Sequence, residues 1–334
     1  MMVSRYAVDL GTSVTNIYAL GGGIVLSEPS VVAVDTDDRK KIKAIGADAK
    51  RLIGKTAENT SVVFPVFEGE IADEKLTAVM LRHFLKKIQA KKFGRKTELL
   101  FSVPCGADLV MLKKMERLAD AVGVDAVQFV EAPILAALGQ NVPLTEFSPC
   151  FCVNMGGGCT DIAALSLDGI IAGISVSLGG GNVDAELIEF VADRFGLKIG
   201  LLTAERIKEQ IGSLLDGDNT GTVVNGRDIA TGKPRSIALT AEHVKEPIEA
   251  YYAKVLDLAE MVMAKLPAEV SAEIRHAGIY VSGGCAQVPG LKEYCEKRLG
   301  IAVNVAEDPT SAVVLGAGSL LGNQDLKKRL VVRQ

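Results

Sequence analysis

Asp9-Leu10-Gly11-Thr12-Ser13-Val14-Thr15-Asn16 is a turn of glycine and hydroxyl residues set between two apolar runs, Tyr6-Ala7-Val8 and Ile17-Tyr18-Ala19-Leu20. The arrangement recurs in Asn154-Met155-Gly156-Gly157-Gly158-Cys159-Thr160-Asp161, which follows Phe151-Cys152-Val153 and leads into Ile162-Ala163-Ala164-Leu165. Strand, Gly/Thr turn, strand, occurring twice, is the pattern that decides the fold. Glycine lets a turn backbone approach a phosphate, and the N–H and hydroxyl groups around it donate to phosphate oxygens. A carboxylate at the head of such a turn can hold a hydrated Mg²⁺ against those phosphates. Two turns of this kind facing each other clamp one nucleotide between similar halves. Asp9 heads the first turn, whereas Asn154 stands where the second is expected to carry Asp.

Outward from these turns, strands and helices alternate. Apolar residues at Leu76, Val79, Met80, Phe84, Leu85 and Ile88 have the spacing of one helix face, predicting a helix over 76–89. Strands are expected at 99–103 and 126–130, with helices at 109–122 and 133–138. In the second half, strand 170–178 precedes a helix over 182–195, with Asp184 and Glu186 in its first turn, where acids suit the helix dipole. A helix over 203–211 with Thr203 as its cap, a peripheral hairpin within 212–233 and a long helix over 241–266 follow. The Gly179-Gly180-Gly181 turn and the Ser282-Gly283-Gly284-Cys285 turn add two more places where backbone can meet a ligand. No P-loop and no G-x-G-x-x-G after the first strand is present. Strands alternating with helices predict an α/β fold of two similar halves, each a helix-covered mixed sheet.

Composition narrows the function classes. The 334 residues carry a net charge of −4, no Trp and 5% aromatics, which gives no electrostatic or stacking case for nucleic acid. No apolar stretch approaches the roughly 20 residues that span a bilayer, and the N-terminus enters a strand without a signal-like segment. The six cysteines, with no C-x-x-C pair, read as reduced and mostly buried thiols of a cytoplasmic protein rather than as zinc ligands or disulfides.

With these residues in order, the chain resembles the actin/sugar-kinase/heat-shock-chaperone ATPase superfamily, and within it the MreB family of bacterial actins, over essentially its whole length. The resemblance rests on Asp9-Leu10-Gly11-Thr12, on Gly23 to Val32, and on Pro65 to Asp73 with Glu68 where the family has Asp. It continues in Val103-Pro104-Cys105-Gly106, Thr203 to Lys208 and Ala306-Glu307-Asp308-Pro309. It implies an actin-like ATPase fold of four subdomains around a nucleotide cleft. These are IA (1–31, 64–140 and 306–334), IB (32–63), IIA (141–177 and 248–305) and IIB (178–247). It also implies ATP or ADP with Mg²⁺ as the bound group. Gly11, Thr12, Ser13, Asn16, Gly156, Gly157, Gly158, Thr160, Gly179 and Gly180 are expected around the phosphates. Glu205, Lys208 and Glu209 are expected on the ribose and adenine side, with Gly283 and Gly284 backing the adenosine. Asp9 is expected to hold Mg²⁺ through water, and Asn154 to do so weakly.

Two departures fall on catalysis. An amide at Asn154 keeps hydrogen bonding but removes charge near the metal. The family's E-E-P is Glu131-Ala132-Pro133 here, so the carboxylate associated with the attacking water is missing. Glu131 is the remaining candidate, though neighbouring helical residues point about 100° apart. Gly181, where the family often has Asp, is a third departure. Phosphoryl transfer depends on placing water and neutralising charge, so the sequence predicts ATP binding with slow or absent hydrolysis.

The resemblance also implies double protofilaments on the inner face of the cell membrane. It places the chain beside the cell-wall elongation machinery, including a RodZ-like membrane protein. The membrane contact is expected at Lys91, Lys92, Phe93, Arg95 and Lys96, one aromatic amid four cations; each cation near anionic lipid is worth about 1 kcal/mol. Two function classes remain: a filament protein directing wall synthesis and rod shape, and a hydrolysis-deficient paralogue that copolymerises with or caps an active one.

Overall fold

The computed structural model describes residues 2–55, 59–90, 95–144 and 148–332. The first half opens with the antiparallel strands β1 (Met2–Leu10), β2 (Val14–Ala19) and β3 (Gly23–Pro29). A small sheet of β4 (Val32–Asp35), β5 (Ile42–Ile45) and β6 (Thr60–Val63) carries the short helix α1 (Ala47–Lys50). Strands β7 (Val66–Phe67) and β8 (Glu70–Ile71) form a tight hairpin whose turn residues Glu68 and Gly69 both have positive φ, 51° and 81°. Helix α2 (Glu74–Lys87) is capped by Asp73, which accepts from the Leu76 N–H at 3.0 Å. Then come β9 (Arg95–Val103), α3 (Leu109–Val122), β10 (Ala126–Glu131) and α4 (Ala132–Gly139), with β9 parallel to both β1 and β10.

The second half repeats the plan. Strands β11 (Cys150–Met155), β12 (Thr160–Ser166) and β13 (Gly169–Val176) lead to α5 (Gly180–Phe195), β14 (Leu197–Lys198) and α6 (Leu201–Ile211). The hairpin β15 (Gly221–Asp228) and β16 (Pro234–Thr240) joins β14 in a three-stranded sheet. Helices α7 (Ala241–Met263) and α8 (Ala268–Ala277), β17 (Ile279–Ser282) and a 3-10 turn at Gly284–Gln287 follow. Helix α9 (Leu291–Leu299), β18 (Val303–Val305), α10 (Ala312–Gly322) and α11 (Gln324–Leu330) complete it.

The two five-stranded sheets have one topology, β3-β2-β1-β9-β10 and β13-β12-β11-β17-β18, each with an antiparallel meander on one side and parallel strands on the other. The central strands are buried on both faces, so they read as continuous apolar runs. Tyr6 and Val8 face the core under α2 and α3, while Ala7 faces the other way; likewise Phe151 and Val153 oppose Cys150 and Cys152. The shared inner face mixes the small Ala7, Cys150, Cys152 and Ala163 with Leu100, Val130 and Leu165, and α4 and α10 cross there between the sheets. A Cβ on Gly139 would lie 1.9 Å from the Ala312 carbonyl oxygen, and one on Gly316 1.8 Å from that of Leu135, so the two helices meet backbone to backbone. Helix α10, from the end of the chain, packs on β1, β2 and β9 of the first sheet, and α4 bridges β9 and β10 of that sheet to β11 and β12 of the second. Of the six cysteines, Cys105, Cys150, Cys152 and Cys295 are buried and Cys159 and Cys285 half-buried.

Several local expectations change. Helix α5 begins at Gly180, two residues before the expected start, so Asp184 and Glu186 lie beyond its first turn. The cause is tertiary: the Gly180 and Gly181 N–H groups donate to the Gly156 and Gly157 carbonyls at 3.0 and 2.8 Å, and Asn182 Oδ1 accepts from the Gly179 N–H at 2.7 Å. Thr203 sits inside α6, whose N-cap is Gly200. The sequence reading misses α8, α11 and the β7–β8 hairpin, short elements with few buried positions.

Candidate functional site

The two glycine turns face each other at the floor of a cleft of about 720 Å³ between the halves. They touch: a Cβ on Gly157 would lie 2.0 Å from Ser13 Oγ, and one on Gly158 2.2 Å from Thr12 Oγ1. Thr12 Oγ1 also accepts from the Gly69 N–H at 3.0 Å, which seats the β7–β8 turn on the first loop. The second loop is held from behind by the N-terminus of α5, whose N–H groups take up its Gly156 and Gly157 carbonyls.

Asp9, Gly11, Thr12, Ser13, Asn16, Asn154, Gly156, Gly157, Gly158, Gly180, Glu205, Lys208, Glu209, Gly283 and Gly284 all line this cleft, so sequence positions up to 275 apart converge. Three expected residues do not line it. Thr160 is buried, with its hydroxyl donating to the Leu178 carbonyl at 2.6 Å. Gly179 packs directly beneath Gly157 and Gly158. Glu131 points to the turn after β9, where it accepts from the Gly106 N–H at 2.6 Å; Ala132 lines the cleft instead. Burial pushes the Glu131 carboxyl above its ordinary value, the nearby Asp161 adding to the shift against the Gly106 N–H.

Each hairpin carries one acid–amide rung. In the first, Asp9 on β1 stands opposite Asn16 on β2; in the second, Asn154 on β11 stands opposite Asp161 on β12. The acid and the amide have exchanged strands. Asp9 accepts from Ser102 Oγ at 2.7 Å. Burial raises its carboxyl, opposed by the Ser102 and Asn16 hydrogen bonds, with the Asp161 charge adding to the rise. Asp161, 1% exposed, accepts from the Cys105 N–H at 2.9 Å and from Asn154 Nδ2 at 3.5 Å, while Ser282 Oγ donates to Asn154 Oδ1 at 3.1 Å. Burial raises Asp161 as well, against these donors and Ser175. Sequence reasoning missed Asp161; the signal was its place one rung across from Asn154, which only the strand register turns into a contact.

Lys208 is already engaged. Its Nζ lies 2.8 Å from both Asp184 carboxylate oxygens and donates to the Gly180 carbonyl at 2.9 Å, pinning α6 to the start of α5. At the mouth of the cleft, Lys50 of α1 reaches across to Glu205 of α6 with Nζ–Oε1 of 2.7 Å, joining the two arms. Gly283, at φ 88°, lies against β11, where a Cβ would be 2.2 Å from the Met155 carbonyl oxygen. Among the described residues no group of three or more His, Cys, Asp or Glu gathers as a metal cage. The donor set near the loops is the carboxylate Asp9 on one half and, on the other, the amide Asn154 with the buried carboxylate Asp161 beside it. This suits Mg²⁺, which keeps several waters and takes one or two carboxylates plus phosphate.

Of the expected membrane residues, Lys91, Lys92 and Phe93 lie outside the described residues; Arg95 and Lys96 begin β9, and Lys96 is exposed. Among the described residues no helix is long and apolar enough to cross a membrane.

Comparison with known proteins agrees with this architecture. The chain is 36% identical to the cell shape-determining protein MreB of Escherichia coli K12 over 331 residues, covering 98% of this chain and 95% of that one. It is 34% identical to the cell shape-determining protein Mbl of Bacillus subtilis 168, covering 98% and 99%. Among solved structures, MreB5 of Spiroplasma citri bound to AMPPNP superposes with a TM-score of 0.92 at 26% identity, over 98% of both chains. The same protein bound to ADP gives 0.91 at 26%, again over 98% of both. A chain of the MamK double helical filament, at 22% identity, shares the fold, with a TM-score of 0.81 over 96% of this chain and 99% of that one. The fold is actin-like, and with the MreB/Mbl protein family model matching residues 3–329, the chain belongs to the MreB/Mbl family.

Proposed function

We propose that this chain is a bacterial actin that binds ATP and ADP with Mg²⁺ in the cleft, assembles into filaments and acts in determining cell shape. The observation that carries the reading is the pair of glycine loops facing each other across the cleft floor, with Gly283 and Gly284 and the α6 residues Glu205 and Glu209 along the rest of the same cleft. The AMPPNP and ADP in the MreB5 structures support a nucleotide there. The four-subdomain division expected from sequence belongs to this reading, with α1 and α6 as the arms on either side of the mouth.

Mg²⁺ would be held through water by Asp9, with Asn154 contributing hydrogen bonds in place of charge. When bound, the ion supplies neutralising charge to the phosphates. The chain's own residues do the rest: the loop N–H groups and the Thr12 and Ser13 hydroxyls orient the phosphates, and the Lys50–Glu205 pair bridges the mouth. With Ala132 in the cleft wall and Asn154 at the head of the second loop, binding outlasts hydrolysis, and turnover is slow. Filaments would lie on the inner face of the membrane beside a RodZ-like protein and the wall-elongation machinery, with Phe93 and its neighbouring cations at the lipid. One aromatic per subunit contributes little, so attachment grows with filament length.

The deciding experiment measures ATP affinity and phosphate release on the purified chain and images it by electron microscopy with ATP. Filaments from this chain alone support the cytoskeletal reading. Nucleotide binding without filaments, together with negligible phosphate release, favours the copolymerising or capping paralogue, for which Asn154 and Ala132 speak. No nucleotide binding refutes both.

A further inference from the structure

Four carboxylates line the cleft, Asp9, Asp161, Glu205 and Glu209, and three are accounted for. Glu205 is paired with Lys50 at the mouth. Glu209 lies one turn further along the same helix, near the Asp184 carboxylate, and Asp9 is tied to Ser102 on the first half. Glu131 lies outside the cleft on the Gly106 N–H, and position 132 offers only a methyl group to the cleft wall. Asp161 remains. It is buried at the base of the second glycine loop, beside Asn154 and on the opposite half from Asp9.

An ionised carboxylate offers about four acceptor directions. Asp161 has three donors in place: the Cys105 N–H at 2.9 Å, Asn154 Nδ2 at the long distance of 3.5 Å, and the hydroxyl of Ser175 opposite it on β13. One direction is left, on a side chain that lines the cleft. Keeping a carboxylate 1% exposed is costly unless its acceptor sites are filled, so the remaining direction calls for one more donor. The contact to Cys105 also fixes the side chain between the halves, because β12 and the turn after β9 belong to different sheets.

We propose that Asp161 positions the water that attacks the γ-phosphate, replacing the carboxylate the chain lacks at position 132. The inference rests on the nucleotide reading above. In the step, the water oxygen forms a bond to the γ-phosphorus as the bond from that phosphorus to the β,γ-bridging oxygen breaks. The electron pair of the broken bond stays on ADP, and the proton of the water leaves with the released phosphate. Asp161 Oδ2 accepts a hydrogen bond from the water and sets its line of approach. Positioning of this kind dominates a loose phosphoryl-transfer transition state.

The test uses the full chain, wild type, Asp161→Asn and Glu131→Gln. It reads phosphate release and ATP affinity, and adds a crystal structure of the wild type with AMPPNP and Mg²⁺. Asparagine keeps an oxygen for the Cys105 N–H, so Asp161→Asn is expected to lower kcat about 10- to 100-fold and to change the Kd for ATP by less than about threefold. The wild-type complex is expected to hold an ordered water about 2.6–3.2 Å from Asp161 Oδ2. Undiminished turnover in Asp161→Asn, turnover abolished by Glu131→Gln alone, no turnover above the protein-free rate in the wild type, or a water held by another carboxylate each overturns the assignment. The AMPPNP complex decides it if the variant does not fold. A wild type that binds no ATP instead refutes the nucleotide reading itself.

Discussion

Removing the Lys50 ammonium should speed nucleotide release without touching the loops that hold the phosphates. Lys50 Nζ and Glu205 Oε1 are 2.7 Å apart, joining α1 of one half to α6 of the other across the cleft mouth. The side chains are 41% and 23% exposed, so the pair is partly screened by water, and pairs of this kind are worth about 0.2–1 kcal/mol. If opening the mouth breaks this contact, that range sets the gain in opening rate in Lys50→Ala at about 1.4- to 5-fold. Dissociation of a fluorescent ATP analogue, followed by stopped flow at low salt, measures it directly. Because the Debye length falls from about 30 Å at 0.01 M to 3 Å at 1 M, the difference between variant and wild type should shrink as salt is raised. Among the described residues Arg51 pairs with Asp48 one turn away, on an exposed surface, so Arg51→Ala serves as the control and should leave release unchanged. Equal rates for Lys50→Ala and wild type at low salt would refute the latch. A difference that persists undiminished in high salt would assign the effect to something other than charge.

Further expectations concern the rest of the frame. Gly316→Val should force α10 away from the Leu135 carbonyl oxygen, now 1.8 Å from where a Cβ would sit, costing upward of about 1–3 kcal/mol and most of the soluble yield; a wild-type melting curve would refute the close crossing. Phe151→Ala, at a fully buried ring on β11, should lose about 3–5 kcal/mol in urea unfolding. Glu131 carries a pH signature: its folded carboxyl lies above 4.5, so the folded state keeps the proton longer than the unfolded chain. The wild type therefore loses stability as pH rises through that window. Glu131→Gln cannot lose it, and should gain stability relative to wild type between pH 4.5 and neutrality; parallel melting temperatures across that range would contradict the burial. Chelating Mg²⁺ should weaken ATP binding, and should do so less in Asp9→Asn than in wild type when both are followed by calorimetry.

How much of this was written in the local sequence depends on what each feature answers to. The two glycine hairpins and the helix over Leu109–Val122 follow from periodicity and turn chemistry within about a dozen residues, and the structure has them at those positions. The start of α5 was illegible because Gly180 and Gly181 are poor helix formers; they are helical because the Gly156 and Gly157 carbonyls accept their N–H groups. Asp184 looked like a helix-dipole acid and is instead the counter-ion of Lys208 from another helix. Glu131 was a fair candidate by proximity to Pro133, yet the β10–α4 junction sends it to the Gly106 turn. Asp161 was hidden for the opposite reason: nothing in its own neighbourhood marks it, and register alone puts it beside Asn154. Helix α8 buries only Ile274, which leaves too faint a stripe to read.

The covering of the first sheet by α10, from the far end of the chain, sets the order in which the newborn chain can finish. The first sheet has all its strands once Glu131 is made, but the helix that covers the Ala7 and Leu100 side of it ends at Gly322. At common synthesis rates the intervening stretch takes roughly 10–40 s to emerge. For that interval the N-terminal half carries a finished sheet with the β1 and β2 part of one apolar face lacking its α10 cover. Its folding on the ribosome is therefore a wait for the chain's own C-terminus, and a nascent chain stalled before α10 presents that face to whatever binds unfinished proteins.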